Sequence, residues 1–486
     1  MRIIKFTARR AAASAIGRKR CAIWGQRHDR AAAMKRTLSE AANTIGGRLT
    51  GDDRPYCSVS TDSRTLMAGA LFVGLRGPKF DGAEFVEAAA ARGAVGAIVD
   101  RALPAVSLAQ IVVPDSLRAL QQLAVAWRAE FSIPIVAVGG SNGKTTVKGM
   151  TAAILARRGP CMATHGNLNN HIGVPLTLMR LEPPHRSAVI EMGANRIGDV
   201  AELVRLAQPT VGLITNAGAE HLEGFGDLDG VARGEGEMVA GLEPAATAVI
   251  NADDAYAGYW RKVSKADRIQ TFGVHGSADF SAKNPAQAIE RGEFCTRFTL
   301  ESPLGERAIA LKVGGAHNIA NALGAACAAS AAGATLDDIE AGLAEFRAVS
   351  GRLQLKAGLR DSWIIDDSYN ANPSSVRAGL EVLRSIPGTT WLVLADMAEL
   401  GEHTSDSHAH TGSYARVCGV KRLFAFGPQS SRAAETFGHG AEWFADVDSL
   451  IRRLQAELAP GVTVLIKGSR MNRLERVVQA ISAGAG

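Results

Sequence analysis

Residues 135–150 read IVAVGGSNGKTTVKGM, an apolar run that breaks into glycines and then into Lys-Thr-Thr. Residues 135–138 suit a buried strand, and VKGMTAAILARRG after the loop suits a helix. Strand, glycine loop and helix together set free backbone N–H groups and a positive dipole end around an anion. In such a loop Gly140, Ser141, Asn142 and Gly143 wrap the phosphates of a nucleotide triphosphate. Lys144 reaches the β- and γ-phosphates, and the Thr145 hydroxyl, followed by Thr146, ligates Mg2+. The usual pattern has its first glycine five residues before the second; Val138 stands there, so the loop is a variant. An ordinary strand-to-helix turn has no need of Gly-Lys-Thr together, and nucleotide binding is the reading adopted.

A chain of 486 residues suffices for about three domains, each with its own core. With 47% hydrophobic residues and no apolar run long enough to span a bilayer, it reads as a globular protein without membrane insertion. Its six cysteines (Cys21, Cys57, Cys161, Cys295, Cys327 and Cys418) have neither metal-type nor disulfide-type spacing, which fits a reducing cytoplasm. The net charge of +6 could suggest a nucleic-acid partner, but residues 1–33 alone carry nine Lys/Arg against one acid. That is a net of +8, which leaves −2 for the remainder and removes the support for nucleic acid. The leader lacks a signal-peptide apolar core; its Arg- and Ala-rich, acid-poor text also suits an organellar transit peptide. The favoured reading is a start placed too early, with Met34 the working first residue.

Short apolar runs (ALFVGL, GAIVD, QIVV) alternate with Ala-rich helical stretches from 34 to 132, as in a small α/β domain. A second α/β unit, 133–348, begins with the phosphate loop, and a third, 349–486, holds WIIDDSYN, WLVLADMAELG, RLFAFG and TVLIKGSR. The expected fold is α/β in three domains: a central phosphate-loop parallel sheet and a C-terminal Rossmann-like domain. In the middle unit three apolar runs end in polar residues: the loop itself, Glu191, and Thr215 with Asn216. Parallel strands would gather those ends on one edge, where open α/β sheets bind ligands. The third unit repeats the device with Asp366 and Asp367, Asp396, and Lys467. Two such edges facing each other would form an interdomain cleft.

Glu191 is either a Mg2+ ligand beside Thr145 or a strand-end charge in solvent; the phosphate loop favours the metal. His221, in the glycine-broken TNAGAEHLEGFG, is either a second-metal ligand or a structural histidine. GGAHNIANALGAACAASAAG (314–333) predicts an Ala-rich helix whose first turn holds His317, Asn318 and Asn321. Capping explains one such Asn, not two at i, i+3 on one face.

The motifs are specific when taken in order. They are TDSR at 61–64, GSNGKTT at 140–146, GNLNNHIGVPLTL at 166–178, EMGAN at 191–195, TNAGAEHLEGFG at 215–226 and GAHNIAN at 315–321. GRLQ, DDSYNANP, DMAELG and KGSR follow. From Met34 to its end the chain resembles the Mur ligases, the ATP-dependent amide-forming family of peptidoglycan synthesis. DDSYNANP and DMAELG point to the branch that adds a dipeptide. The resemblance implies ATP and Mg2+ as cofactors, UDP-muramoyl-tripeptide and D-alanyl-D-alanine as substrates, and a cytoplasmic enzyme, expected to be a monomer. It implies that Ser63 and Arg64 hold the uridine nucleotide, while Asn167, Asn169 and Asn170 meet the muramoyl-peptide. Lys144, Thr145 and Glu191 serve the phosphates and one Mg2+, and His221 the second. Asn318 and Asn321 lie against adenine, and Arg352 and Asp367 close on the nucleotide. DMAELG, with Asp396, and KGSR, with Lys467, shape the dipeptide pocket. The chemistry implied is phosphorylation of a carboxylate to an acyl phosphate, which an amine then attacks. Competing readings are a diaminopimelate- or lysine-adding ligase, a folylpolyglutamate synthase or, from another class, a nucleotide switch. Against the switch, no guanine-reading Asn-Lys-x-Asp is present.

One position departs from the family. Many Mur ligases carry, fourteen residues after this histidine, a lysine that carbon dioxide converts to a carbamate; here Glu235 stands at that place. Arg233 cannot substitute, because a guanidinium stays protonated. Glu235 is therefore expected to replace the carbamate at the second Mg2+ site, directly or through a water, rather than to be a solvated helix charge.

Overall fold

The computed structural model describes residues 36–77 and 80–484; the basic leader, and with it the reading of Met34 as first residue, lies outside them. The first domain is a five-stranded sheet in the order Arg48–Thr50, Gln110–Val112, Gly96–Val99, Ala70–Val73, Ser58–Ser60. All its pairs are parallel except that of the edge strand Arg48–Thr50. Its helix Ser116–Arg128 ties it to the next domain. Trp127 Nε1 donates to Leu181 O at 3.0 Å, and buried Arg128 donates to Ala207 O at 2.9 Å and Gln208 O at 3.0 Å. These bonds span one continuous apolar core shared by both domains.

The central sheet consists of β1 (Ile135–Gly139), β2 (Cys161–Ala163), β3 (Ser187–Glu191), β4 (Val211–Ile214), β5 (Thr247–Asn251) and β6 (Arg268–Phe272). All six run parallel in the order 2-3-1-4-5-6. Every residue of β1, β3, β4 and β5 is buried, which is why they read as unbroken apolar runs rather than alternating ones. The strand order reverses at β1, so the crevice of the sheet opens at its carboxyl end. Helix α1 (Lys144–Leu155) leaves that end directly. Helices α2 (Leu228–Ala240) and α3 (Ala316–Ala331) flank the sheet. The small side chains of α3, with Ala322, Ala325, Ala326 and Ala329 fully buried, let it lie close against α1.

One feature was not legible in the sequence: a three-stranded antiparallel sheet, Ser281–Glu290, Glu293–Ser302 and Gly305–Leu311. Its first strand carries Pro285 at a register shift between Lys283 and Ala286, and proline inside a run argues against a strand. Its first turn is the pair Arg291 (φ +53°) and Gly292 (φ +79°). Two residues at positive φ make a tight hairpin, but Asn-Gly is the recognisable form.

The third domain contains β7 (Gln354–Ala357), β8 (Trp363–Asp367), β9 (Thr389–Ala395), β10 (Arg422–Phe426), β11 (Ala441–Phe444) and β12 (Val462–Lys467). Their order is 7-8-12-9-10-11, with only β7 antiparallel. Asp367 and Lys467 end adjacent strands, and Asp396 follows β9, as the apolar runs predict. Helix α4 (Pro373–Arg384) starts with proline at its first turn and Asn372 as N-cap, whose side chain accepts from Ser375 N–H. Among the described residues no helix is long and apolar enough to cross a membrane.

Candidate active site at the phosphate loop

The Val138 departure has a simple cause: β1 continues through Val138 to Gly139, so the turn is made by residues 140–143 alone. Gly140 has φ +108°, and a Cβ there would fall 2.1 Å from Thr215 Oγ1. Gly143 has φ +86°, and a Cβ there would fall 2.4 Å from Asn321 Oδ1. Neither position admits another residue. The segment after β4 braces the loop: Ser141 N–H donates to Asn216 O at 2.8 Å, and Asn142 N–H to Asn216 Oδ1 at 3.0 Å. No side chain caps α1, so its first N–H groups open onto the cleft as an anion site.

Charge is concentrated beneath this loop. Lys144 Nζ donates to Gly140 O at 2.5 Å, to Ser141 O at 2.8 Å and to Glu220 Oε1 at 3.0 Å. Burial alone would lower its pKa, but Glu220, Glu235 and Glu191 outweigh burial and hold it above the ordinary lysine value. Glu235 is 4% exposed and accepts the Gly140 N–H on Oε2 at 2.6 Å, so it is no solvated helix charge. Burial pushes its carboxyl up to about 7, with Lys144 pulling down and Glu220 pushing up. Asn169 Nδ2 donates to Glu191 Oε1 at 2.9 Å, while Oε2 takes no hydrogen bond and has Lys148 Nζ as an ion-pair neighbour at 3.0 Å. Burial would raise its pKa, but Lys148, Lys144 and Asn169 together hold it below the usual carboxylate range.

The third domain touches this loop. Arg352 Nη2 donates to Thr145 Oγ1 at 3.4 Å, and its guanidinium lies 4.4 Å from the Tyr369 ring centre. Asn372 Nδ2 donates to Asn142 Oδ1 at 2.9 Å, and Asn142 Nδ2 to Ser374 Oγ at 3.0 Å. His221, at φ +52°, pairs with Glu399 of the DMAELG segment. Asn318 and Asn321 are buried beside the loop, Asn321 Nδ2 donating to Asn318 Oδ1 at 2.9 Å.

The structure therefore brings Gly140, Ser141, Asn142, Gly143, Lys144, Thr145, Glu191, Asn169, His221, Glu235, Asn318, Asn321 and Arg352 to one region. Thr146 follows on α1, and Asn167 shares the 165–173 loop with Asn170, whose side chain accepts from Ile172 and Gly173 N–H. Ser63 and Arg64 stand apart in the first domain, Arg64 paired with Asp62 at 2.9 Å. Lys467 is 2% exposed and donates to Asp367 Oδ2 at 2.5 Å and to Asn370 O at 2.9 Å, so its ammonium is held inside the third domain. Asp396 accepts the Ser430 N–H at 2.7 Å. Among the described residues no three His, Cys, Asp or Glu side chains converge as a ready-made metal cage. Lys148, Glu220 and Asn372 were not anticipated. Lys148 could have been found, since it lies one turn beyond Lys144 on the same helix face.

The Lys148–Glu191 pair has side chains only 9% and 4% exposed. Lys148→Met should lower stability by about 3 kcal/mol, because the carboxylate loses its nearest cation inside the protein. The added change Glu191→Gln should recover most of that loss. Urea unfolding checks both; a loss under about 1 kcal/mol for Lys148→Met would contradict the pair's weight.

Comparison with known proteins agrees with this geometry. Residues 138–329 match the Mur ligase middle domain, 351–470 the Mur ligase glutamate ligase domain, and 55–128 the catalytic domain of the Mur ligase family. The UDP-N-acetylmuramoyl-tripeptide–D-alanyl-D-alanine ligase of Escherichia coli strain K12 is 42% identical over 448 residues, 92% of this chain and 98% of that one. A crystal structure of MurF from Acinetobacter baumannii superposes with a TM-score of 0.85 at 31% identity, covering 92% of this chain and 98% of that one. The MurF ligase of Thermotoga maritima in complex with ADP gives 0.78 at 27% identity, covering 87% and 96%. With three family models matched in order and relatives aligned over nearly their whole length, the protein belongs to the Mur ligase family.

Proposed function

We propose that the protein is an ATP-dependent ligase that joins D-alanyl-D-alanine to UDP-N-acetylmuramoyl-tripeptide in the synthesis of peptidoglycan precursors. The observation that carries the reading is the uncapped start of α1 with the half-buried Lys144 beneath it, opening toward the third domain. Full-length likeness to ligases of that name supports the choice of substrates.

A free carboxylate resists attack by an amine because oxide is a poor leaving group. Transfer of the γ-phosphoryl group to the tripeptide's terminal carboxylate gives an acyl phosphate and ADP. The dipeptide amine then attacks the acyl carbon, and the tetrahedral intermediate collapses to amide and inorganic phosphate. The loop N–H groups and Lys144 position the triphosphate and balance its charge. Arg352 approaches the same phosphates from the third domain, Asn318 and Asn321 line the adenine side, and closure of the third domain keeps water from the acyl phosphate. Ser63 and Arg64 hold the uridine nucleotide, the 165–173 loop holds the muramoyl-peptide, and the DMAELG and KGSR segments border the dipeptide.

The donors present suit Mg2+. The Thr145 hydroxyl and the buried Glu191 carboxylate are hard oxygen donors beside the loop and would hold one ion. His221 and Glu235 would hold a second, Glu235 through Oε1 or a water, since Oε2 is bonded to Gly140 N–H. When bound, Mg2+ supplies Lewis-acid neutralisation of phosphate charge.

Phosphate release with UDP-muramoyl-tripeptide and a panel of amines should be stimulated by D-alanyl-D-alanine and not by diaminopimelate, lysine or glutamate. Stimulation by a single amino acid instead would move the protein to another branch of the family. Glu235→Gln should lose activity steeply at limiting Mg2+, and stripping bicarbonate should leave the wild type unchanged. Near-normal activity of Glu235→Gln across the Mg2+ range would sink the metal role.

A further inference from the structure

GEHTSDSHAHTG, which overlaps the end of DMAELG, holds three histidines; His403 and His410 are exposed, and His408 is fully buried. His408 lies on the helix Thr404–Val417, and both of its ring nitrogens are engaged. The Met397 N–H donates to Nε2 at 3.0 Å, and Nδ1 lies 2.7 Å from Thr404 O. A backbone N–H only donates and a carbonyl only accepts, so the ring is neutral and carries its proton on Nδ1. Burial favours that form, holding the pKa below the ordinary histidine value against the opposite pulls of Thr404 O and Asp396.

Met397 belongs to the segment that carries Glu399 across to His221 of the central domain. Asp396 O accepts from Ser469 N–H at 3.1 Å and from Asn472 Nδ2 at 2.8 Å, and Ser469 Oγ accepts the Ala398 N–H at 2.9 Å. With His408 on Met397, each residue from 396 to 398 has a backbone group tied down. Glu399 follows at φ +63°, and its partner His221 stands at φ +52°. Left-handed backbone costs energy for residues with side chains and persists where the surroundings over-determine it. Ser469 and Asn472 lie just beyond β12, whereas His408 comes from the helix that follows the segment. We infer that His408 is a positioning residue for the dipeptide: by accepting the Met397 N–H on Nε2 it fixes the 396–399 segment that borders the incoming amine substrate. The inference rests on the proposed ligase function and adds to it a buried residue that sets the rim of the dipeptide pocket from behind.

Amide side chains separate the roles of the two ring nitrogens. Gln brings its oxygen close to the place of Nε2 and Asn brings its nitrogen close to that of Nδ1, so Gln alone still accepts from Met397. His408→Asn should raise KM for D-alanyl-D-alanine about tenfold, the weight of one hydrogen bond, with KM for ATP and for UDP-muramoyl-tripeptide unchanged. His408→Gln should stay within about threefold of wild type for all three substrates. Hydrogen exchange gives a readout apart from turnover: the Met397 and Ala398 amides should exchange faster in His408→Asn than in His408→Gln or wild type. An unchanged dipeptide KM in His408→Asn overturns the proposal. So does an equal rise in both variants, or a rise shared by ATP, since a merely structural histidine would act in that way. Where His408→Asn fails to fold, His408→Gln decides: values near wild type support the proposal, and a dipeptide KM raised well beyond about threefold overturns it. A wild type in which D-alanyl-D-alanine stimulates no phosphate release would overturn the ligase function itself, which sets the two failures apart.

Discussion

The cleft is organised around one positive charge, that of Lys144, and around the acids that share it. Three carboxylates, Glu191, Glu220 and Glu235, act on that ammonium, and burial makes Glu191 and Glu235 costly without a partner. The protein resolves this with a second cation, the buried Lys148, on Glu191 and with the Gly140 N–H on Glu235. A site built this way accepts additional anions only where cations accompany them. That suits the proposed triphosphate arriving with divalent metal.

The geometry that makes this possible comes from the backbone. Gly140 and Gly143 let the loop pass within contact of Thr215 and Asn321, which no side chain would permit. The parallel sheet then delivers Glu191, Thr215 and Asn216 to the same edge as the loop, because β3, β1 and β4 are adjacent strands. The third domain presents its own strand ends, with Asp367 and Lys467 locked together, toward that edge. Asn372 carries the contact because its side-chain oxygen caps the helix and its amide nitrogen is left to donate outward to the loop.

Much of this was legible in the sequence for physical reasons. Fully buried parallel strands leave continuous apolar runs, and their polar terminators mark the ligand edge, so the phosphate loop, Glu191, Asp367 and Lys467 could be placed in advance. The antiparallel sheet at 281–311 was missed because a proline at a bulge and an Arg-Gly turn conceal it. Glu220 was passed over because its partners are set by tertiary folding: Lys144 lies 76 residues away and Asn372 152. Nothing local distinguishes it from a solvated loop acid. The burial of Glu235 and Lys148 also depends on packing against β1 and β3, although their spacing was readable.

The chemistry proposed for the cleft is phosphorylation of a carboxylate, so that an amine can displace the phosphate. Oxygen-18 placed in both terminal carboxylate oxygens of UDP-muramoyl-tripeptide tests it most directly. Mass analysis of the inorganic phosphate released with D-alanyl-D-alanine should find one labelled oxygen per phosphate, the other remaining in the new amide. Unlabelled phosphate formed alongside amide product would contradict the account.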